Sequence, residues 1–253
     1  MFGGIPFFTQ EPKLVCSSPS QLEDWSECTK EAACALEAGD YRADYEHPET
    51  IRNIVTELDL ICDSDSDYKL KASNVGGSMQ IGAVLSVAFL TPLADIYGRR
   101  PVMYVSTLIC LISYCLLYHA LTVSKNFEQC LLSVGLYGLS KVTQEVIGLL
   151  LLTEMIPSEQ VNLITIIGFS GEPLGLLLTT VYLQYTQDVT TLIIASIVSQ
   201  VAFLLFLHFV SIETPQYLFK KGLKEEYHST MRYLEKFNGV SEEELPLVLS
   251  KEE

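Results

Sequence analysis

The chain has 253 residues, of which 49% are hydrophobic and 19% are charged. Its mean hydropathy of +0.28 is high for a soluble protein with that many charges, so the charges must be unevenly distributed. The formal net charge of −15 and the lack of a Lys/Arg-rich block argue against nucleic acid as a partner, because phosphate binding needs a basic patch.

The charges concentrate at the two ends of the chain. Residues 1–72 contain 15 acidic and six basic residues, 73–210 contain seven and four, and 211–253 contain nine and six. A long charge-poor stretch between charged ends predicts an all-α integral membrane protein. We expect an acidic external segment over 1–72, a bundle of five transmembrane helices over 73–210, and a cytoplasmic amphipathic helix and tail over 211–253.

The N-terminal segment contains no apolar run long enough to span a bilayer, and residues 1–8 lack the basic start of a signal peptide. We expect an irregular, partly helical ectodomain. Four of the seven cysteines lie here, which predicts two disulfides on the oxidising side of a membrane, with three pairings open: Cys16, Cys28, Cys34 and Cys62. The alternative is four free thiols on the cytoplasmic side.

Five apolar segments follow, each of about the 20 residues that a helix needs to cross a hydrocarbon core. They are Asn74–Ala94, Val102–Leu121, Cys130–Leu152, Leu163–Tyr185 and Leu192–Val210. Five such segments in a row, joined by short polar connections and without strand-like alternation, predict membrane helices rather than buried core helices.

Basic residues predict the orientation of the bundle. Arg99 and Arg100 follow the first span, and three lysines follow the fifth, so both regions are expected in the cytoplasm. The N-terminal segment is then external or lumenal, in agreement with its cysteines. The acidic connection between the third and fourth spans fits this orientation least well. After the fifth span, apolar residues at three- and four-residue steps from Leu223 to Phe237 predict an amphipathic helix.

Three connections carry motifs. Residues 93–101 (LADIYGRRP) follow the first span, 153–157 (TEMIP) follow the third, and 213–218 (ETPQYL) follow the fifth. They resemble, in order and spacing, three loop motifs of the major facilitator superfamily. Three departures are Thr91, where that family has a glycine, Ile96, where it has a basic residue, and Val161, where it has an arginine. The resemblance implies a conformational latch formed by Asp95, Gly98, Arg99, Arg100, Glu154, Pro157, Glu213 and Pro215.

Residues 57–62 (ELDLIC), just before the first span, are similar to a stretch in organic cation, anion and carnitine transporters. The resemblance implies a secondary transporter of small organic solutes that works by alternating access. The spans would match helices two to six of twelve, so we expect a truncated N-terminal half; the alternative is a genuine five-span protein.

Polar groups inside the spans need a reason, because an ionisable side chain at mid-membrane is costly. The candidates for a solute pathway are Lys141, Gln144, Glu145 and Glu172. The alternative for Lys141 and Glu145, which are four residues apart, is mutual neutralisation without contact to a solute. No enzymatic motif, cofactor site or metal site is predicted.

The expected partners are the lipid bilayer, a small organic solute and, as a further candidate, a coupling ion. Two alternative functions remain open: a non-transporting membrane scaffold or assembly subunit derived from a half-carrier, and a carrier like the sugar porters.

Overall fold

The computed structural model of the chain describes residues 5–18, 21–36, 40–62, 68–156 and 159–237. The N-terminal part of it, residues 5–62 within those ranges, is here called the N-terminal segment. Its elements are α1 (Ile5–Phe8), β1 (Leu14–Ser18), β2 (Gln21–Cys28), α2 (Lys30–Cys34), β3 (Tyr41–Ala43) and α3 (Ile54–Glu57).

A small sheet corrects the prediction that this segment is irregular. The three strands form an antiparallel sheet in the order β2-β1-β3, so β1 is the central strand. Leu14, Val15 and Cys16 of β1 are buried, while Arg42 of β3 lies over the ring of Trp25 of β2, 4.3 Å from its centroid. Because three successive residues of the central strand are buried, it lacks the alternation that indicates a strand in the sequence.

Two disulfides staple the segment. One joins Cys16 of β1 to Cys28 of β2, and the other joins Cys34 of α2 to Cys62, which follows α3. Burial and the carboxylate of Asp59 raise the pKa of Tyr41, which pairs with Cys16 in the β1–β3 ladder, above its ordinary value. The pairing of these cysteines in the purified protein stays a prediction, with its measurement given in the Discussion.

The rest of the described chain is helical. It contains α4 (Tyr68–Leu85), α5 (Thr91–Tyr97), α6 (Arg99–His119), α7 (Phe127–Met155), α8 (Val161–Thr186), α9 (Val189–Phe209), α10 (Pro215–Lys220) and α11 (Lys224–Phe237). A π-helical turn over Ser86–Leu90 joins α4 to α5, and another over Ala120–Ser124 extends α6. Helix α11 lies within the range where the periodicity predicts an amphipathic helix, and the tail after Phe237 lies outside the described residues.

Within the described part of the chain, four helices are long and apolar enough to cross a membrane by length and composition. They are Leu70–Tyr97, Arg99–Ser124, Val161–Thr186 and Val189–Phe209, and each contains a predicted span to within one residue. The predicted third span lies in α7, which has 29 residues but carries charged side chains within it. The membrane part is therefore the helical bundle that the sequence predicts, with α7 as a long helix that does not meet the criterion of length and composition on its own.

Helix α7 tolerates these charges because it lies in the middle of the bundle. It packs along α4 on one side and α6 on the other, and α6 also packs on α9. Two glycines make the contact with α4 possible. A Cβ atom on Gly82 would lie 2.8 Å from Leu139 N and closer still to Gly135 O, and one on Gly138 would collide with the backbone of Met79. Small residues allow helices in membranes to approach this closely.

The chain direction defines two ends of the bundle. The disulfide end, as we name it, contains the N-terminal segment and the connections α6–α7 and α8–α9. The arginine end contains Gly98, the α7–α8 connection, and α10 with α11. The larger hydrophobic core cluster lies toward the disulfide end, and a smaller one of Ala94, Val102, Met103, Ile147 and Leu207 lies toward the arginine end.

Candidate functional site

A cavity of about 550 Å³ lies between the helices of the bundle. All four predicted pathway residues line it, namely Lys141, Gln144, Glu145 and Glu172. The first three come from α7, where Tyr137 precedes Lys141 by one helical turn and also lines the cavity. Positions four apart share a helix face, so one stripe of α7 presents its polar groups to the cavity.

Lys141 and Glu145 form an ion pair within α7. Both side chains are partly buried, so the pair offsets part of the cost of placing each charge in the bundle. Beside it, Gln144 Nε2 donates to Thr107 Oγ1 of α6 at 3.3 Å, and Thr107 in turn donates to Met103 O at 2.7 Å. This chain of hydrogen bonds fixes the direction of the Gln144 amide across the α6–α7 contact.

Glu172 reaches the cavity from α8, which packs far less closely than α4, α6 or α7. The wall around it is made of backbone, because Gly168, Gly171 and Gly175 line the cavity beside it. Pro173 lies inside the helix and removes one backbone donor there. The glycines leave room next to the carboxylate that a larger side chain would fill.

Among the uncharged cavity residues that the sequence reasoning missed are two tyrosines and a glutamine. Tyr114 of α6 and Tyr137 of α7 have ring centroids 5.4 Å apart. The third is Gln200 of α9, whose Oε1 atom is buried without a hydrogen-bond partner among the described residues. The sequence reasoning considered charged side chains in the spans and not such uncharged groups. The four-residue spacing of Tyr137 from Lys141, and of Ser196 from Gln200, places each pair on one helix face and could have identified them.

An ion-pair network closes the arginine end, where the motifs predict a conformational latch. Arg99, at the start of α6, is buried, and its NH2 atom lies 3.0 Å from Glu154 Oε1 and 3.3 Å from Asp95 Oδ1. The Asp95 side chain is 79% exposed, whereas that of Glu154 is 10% exposed. Because water screens exposed pairs, Glu154 is the stronger partner and Asp95 is peripheral.

Glu213 caps the N-terminus of α6 from 114 residues away. Its Oε1 accepts from Arg99 N at 3.0 Å, and its Oε2 accepts from Arg100 N at 3.2 Å. A carboxylate at this position satisfies two otherwise unpaired N–H groups and interacts favourably with the helix dipole. The side chain of Arg100 continues the link to α9 by donating to Ser211 Oγ at 3.2 Å and His208 O at 3.2 Å.

Gly98 makes this cap possible. Its φ of 104° is a conformation that other residues rarely adopt, and a Cβ there would lie 3.0 Å from Glu213 Cδ. Pro215 stands at the first turn of α10, after Thr214, whose hydroxyl accepts from Tyr217 N. Tyr217 closes the arrangement by donating from its hydroxyl to Ile96 O at 3.0 Å.

Of the predicted latch residues, Glu154 is the more buried partner of Arg99, and Glu213 caps α6. That the set acts as a latch stays a prediction. Glu154 Oε2 and Arg99 Nε are buried without hydrogen-bond partners in the described residues. Pro157, the remaining member of the motif set, lies outside the described residues.

A helical membrane bundle with an ion-pair network at one end and charged side chains on the wall of a mostly apolar cavity fits a membrane transport protein. The sequence model of the "Sugar (and other) transporter" family matches residues 37–252, so the chain belongs to that family. It is therefore a multi-pass membrane protein of the major facilitator kind. No curated protein matches the chain closely enough to add a nearer relative.

Proposed function

We propose that the chain forms the N-terminal half of a secondary transporter that carries a small organic solute by alternating access. The observation that supports this most is the cavity itself, in which the charged and amide side chains of α7, α8 and α9 converge. A scaffold that only held helices together would gain nothing from Glu172 at a glycine-lined wall. Membership of the transporter family supports the same conclusion.

The arginine end supplies the element that would alternate. Arg99 is held by Glu154 of α7 and by a backbone bond to Glu213 after α9, so three helices meet at one residue. Opening this end would separate Arg99 from both carboxylates. Buried ion pairs are costly to break singly, which favours two discrete arrangements over a continuous range.

The charges of the cavity favour an organic cation. The described lining of the cavity contains one basic and two acidic side chains, so with all three ionised it carries one excess negative charge. The rings of Tyr114 and Tyr137 add faces that attract cations. This proposal agrees with the similarity of residues 57–62 to organic-ion transporters, and it includes a proton or sodium ion as a candidate coupling ion at Glu172.

A neutral sugar is the second candidate, because hydroxyl and amide groups line the same cavity. Ser113, Ser133, Ser196 and Thr179 provide hydroxyls, and Gln144 and Gln200 provide amides. The buried and unpartnered Gln200 Oε1 would accept a hydrogen bond from a sugar hydroxyl. The family name covers sugars and other solutes alike.

Uptake by the full-length protein in vesicles separates these candidates. The solutes are a labelled tetraalkylammonium ion, a labelled aromatic carboxylate and a labelled hexose, each tested with and without an excess of the other two. We expect the cation to enter and the hexose to compete poorly. Saturable hexose uptake would instead establish the sugar-porter function, and uptake of none of them in a folded protein would favour the scaffold function.

We also propose the orientation that the basic residues predict, with the disulfide end outside and the arginine end in the cytoplasm. The two disulfides support it, because such bonds persist on the oxidising side of a membrane. An impermeant thiol reagent should therefore modify a cysteine at Ser124 on intact cells. It should leave a cysteine at Ser241 unmodified until the cells are opened.

A further inference from the structure

We infer that the N-terminal segment is the gate of the cavity at the disulfide end. Residues 50–62, here called the plug, lie between the ends of the helices, and Ile54 forms part of the cavity wall. Solute entry from that side then requires the plug to withdraw. The inference rests on the proposed function only in treating the cavity as the solute's path.

The plug is inserted into the bundle rather than laid on its surface. Ile54 is 1% exposed, and Val55 is fully buried. They belong to one hydrophobic cluster with Leu121 after α6, Cys130 of α7 and Ile193 of α9. The plug therefore covers apolar surface of several helices, and its withdrawal would expose that surface on all of them together.

One side chain holds the two cavity-lining pieces of the segment together. Asn53 accepts from Val55 N at 3.0 Å and Thr56 N at 3.3 Å, which starts α3. Its Nδ2 atom donates to Phe7 O at 3.0 Å and to Gln10 O at 2.8 Å. Phe8, between those carbonyls, is the other residue of the segment on the cavity wall. Phe8 and Ile54 are thus expected to move as one body.

In the described residues, two backbone hydrogen bonds and one ion pair tie the plug to the connections between the helices. Arg52 N donates to Gln187 O at 2.7 Å, and Val189 N donates to Arg52 O at 3.1 Å, which ties the plug to the α8–α9 connection. Glu57 pairs with Lys125 at the α6–α7 connection, where both side chains are partly exposed. Partly exposed pairs of this kind contribute little to stability, because water screens the two charges.

The disulfides keep the plug intact while it moves. The Cys34–Cys62 bond anchors the end of the plug to α2, which belongs to the segment and not to the bundle. The segment therefore has its own covalent frame, and its contacts with the bundle are non-covalent in the described residues. The segment can therefore separate from the bundle as one cross-linked body without breaking a covalent bond between the two, as a gate requires.

Labelling of Cys110 tests the gate without any solute. Cys110 lies on the cavity wall and is 1% exposed, and substitutions Cys115→Ser and Cys130→Ala leave it as the one free thiol of the full chain. An impermeant, positively charged methanethiosulfonate is applied to the disulfide-end face of membranes, and the modified fraction is followed by intact mass. Ser124→Cys identifies that face, since Ser124 is exposed there.

We expect Ile54→Ala to raise the labelling rate at least fivefold. The control Leu207→Ala removes an equally buried apolar side chain at the arginine end and should leave the rate within twofold. Glu57→Lys, a surface change that preserves the core, should also raise the rate. The exchange Glu57→Lys with Lys125→Glu should return it to the starting value.

Two results would overturn the gate. One is labelling in Ile54→Ala and Glu57→Lys that stays within twofold of the background protein. The other is an equal increase of the labelling rate in Leu207→Ala, because it would mean that the reagent reaches Cys110 through general loosening of the fold. Absence of uptake would reject the proposed function but would leave these labelling rates, and the gate, unaffected.

Discussion

Replacing Gly82 by alanine tests how closely α4 and α7 must approach each other. The new methyl group would lie 2.8 Å from Leu139 N and nearer still to Gly135 O, both backbone atoms of α7 that cannot rotate away. An ordinary contact needs about 3.5–4.0 Å, so the nearer of these two atoms requires the helices to separate by about 1.5 Å. That separation weakens the packing that positions the α7 face of the cavity.

Overpacking of this kind costs about 1–3 kcal/mol. We expect the free energy of unfolding to fall by about 2 kcal/mol, which corresponds to a Tm about 4–8 °C lower for a chain of this size. The assay is thermal unfolding of purified protein in one detergent. Gly138→Ala, which brings a methyl group onto the backbone of Met79, should cost a similar amount. The double variant should cost less than the sum, because the helices separate only once.

Gly77→Ala is the matched control, since it lies on the same helix with nothing within 4 Å of its added Cβ. There the alanine should be neutral or should stabilise the helix by about 0.5–1 kcal/mol. The two substitutions therefore have opposite expected signs. A Gly82→Ala protein as stable as Gly77→Ala would refute the reasoning about the α4–α7 contact.

Three further outcomes are expected. Glu213→Ala should lower the Tm, because two N–H groups of α6 lose their acceptor. Glu226→Ala on the exposed face of α11 should not lower it, and equal Tm values of the two variants would contradict the cap. Non-reduced peptide mapping should show the links Cys16–Cys28 and Cys34–Cys62, and four free thiols would reject both the links and the external placement. Glu145→Gln should lower protein abundance by stranding the ammonium of Lys141, and Lys141→Met with Glu145→Leu should restore it; abundance that stays low in the double variant would refute mutual neutralisation.

The membrane helices were predictable because their signal is local and strong. Runs of about 20 apolar residues specify spans wherever they occur, and Lys141, Glu145 and Glu172 stand out against such a background. Helix periodicity predicts that Lys141 and Glu145 of α7 face the same cavity, but it makes no such prediction for Glu172. The approach of Glu172 from α8 depends on how the helices pack, which the sequence pattern does not contain.

The contacts that hold the ends of the bundle were not predictable from local patterns. Glu213 caps a helix that begins 114 residues earlier, and Asn53 reaches carbonyls more than 40 residues away. The motifs singled out Glu213 but did not give its role. The exposure of the Asp95 side chain was likewise not predictable, because its position four residues before Arg99 says nothing about burial. The strands escaped notice because the central one, β1, is buried at three successive positions and so lacks alternation.

The most direct test of the proposed transport function is the effect of Glu172→Gln on uptake of the tetraalkylammonium ion by the full-length protein. Glutamine preserves the shape and removes the charge, and Glu159→Gln, at an exposed position before α8, is the matched control. The account predicts at least tenfold lower uptake for Glu172→Gln at unchanged abundance, and normal uptake for Glu159→Gln. Equal uptake by the two variants would contradict the assignment of the cavity as the path of a charged solute.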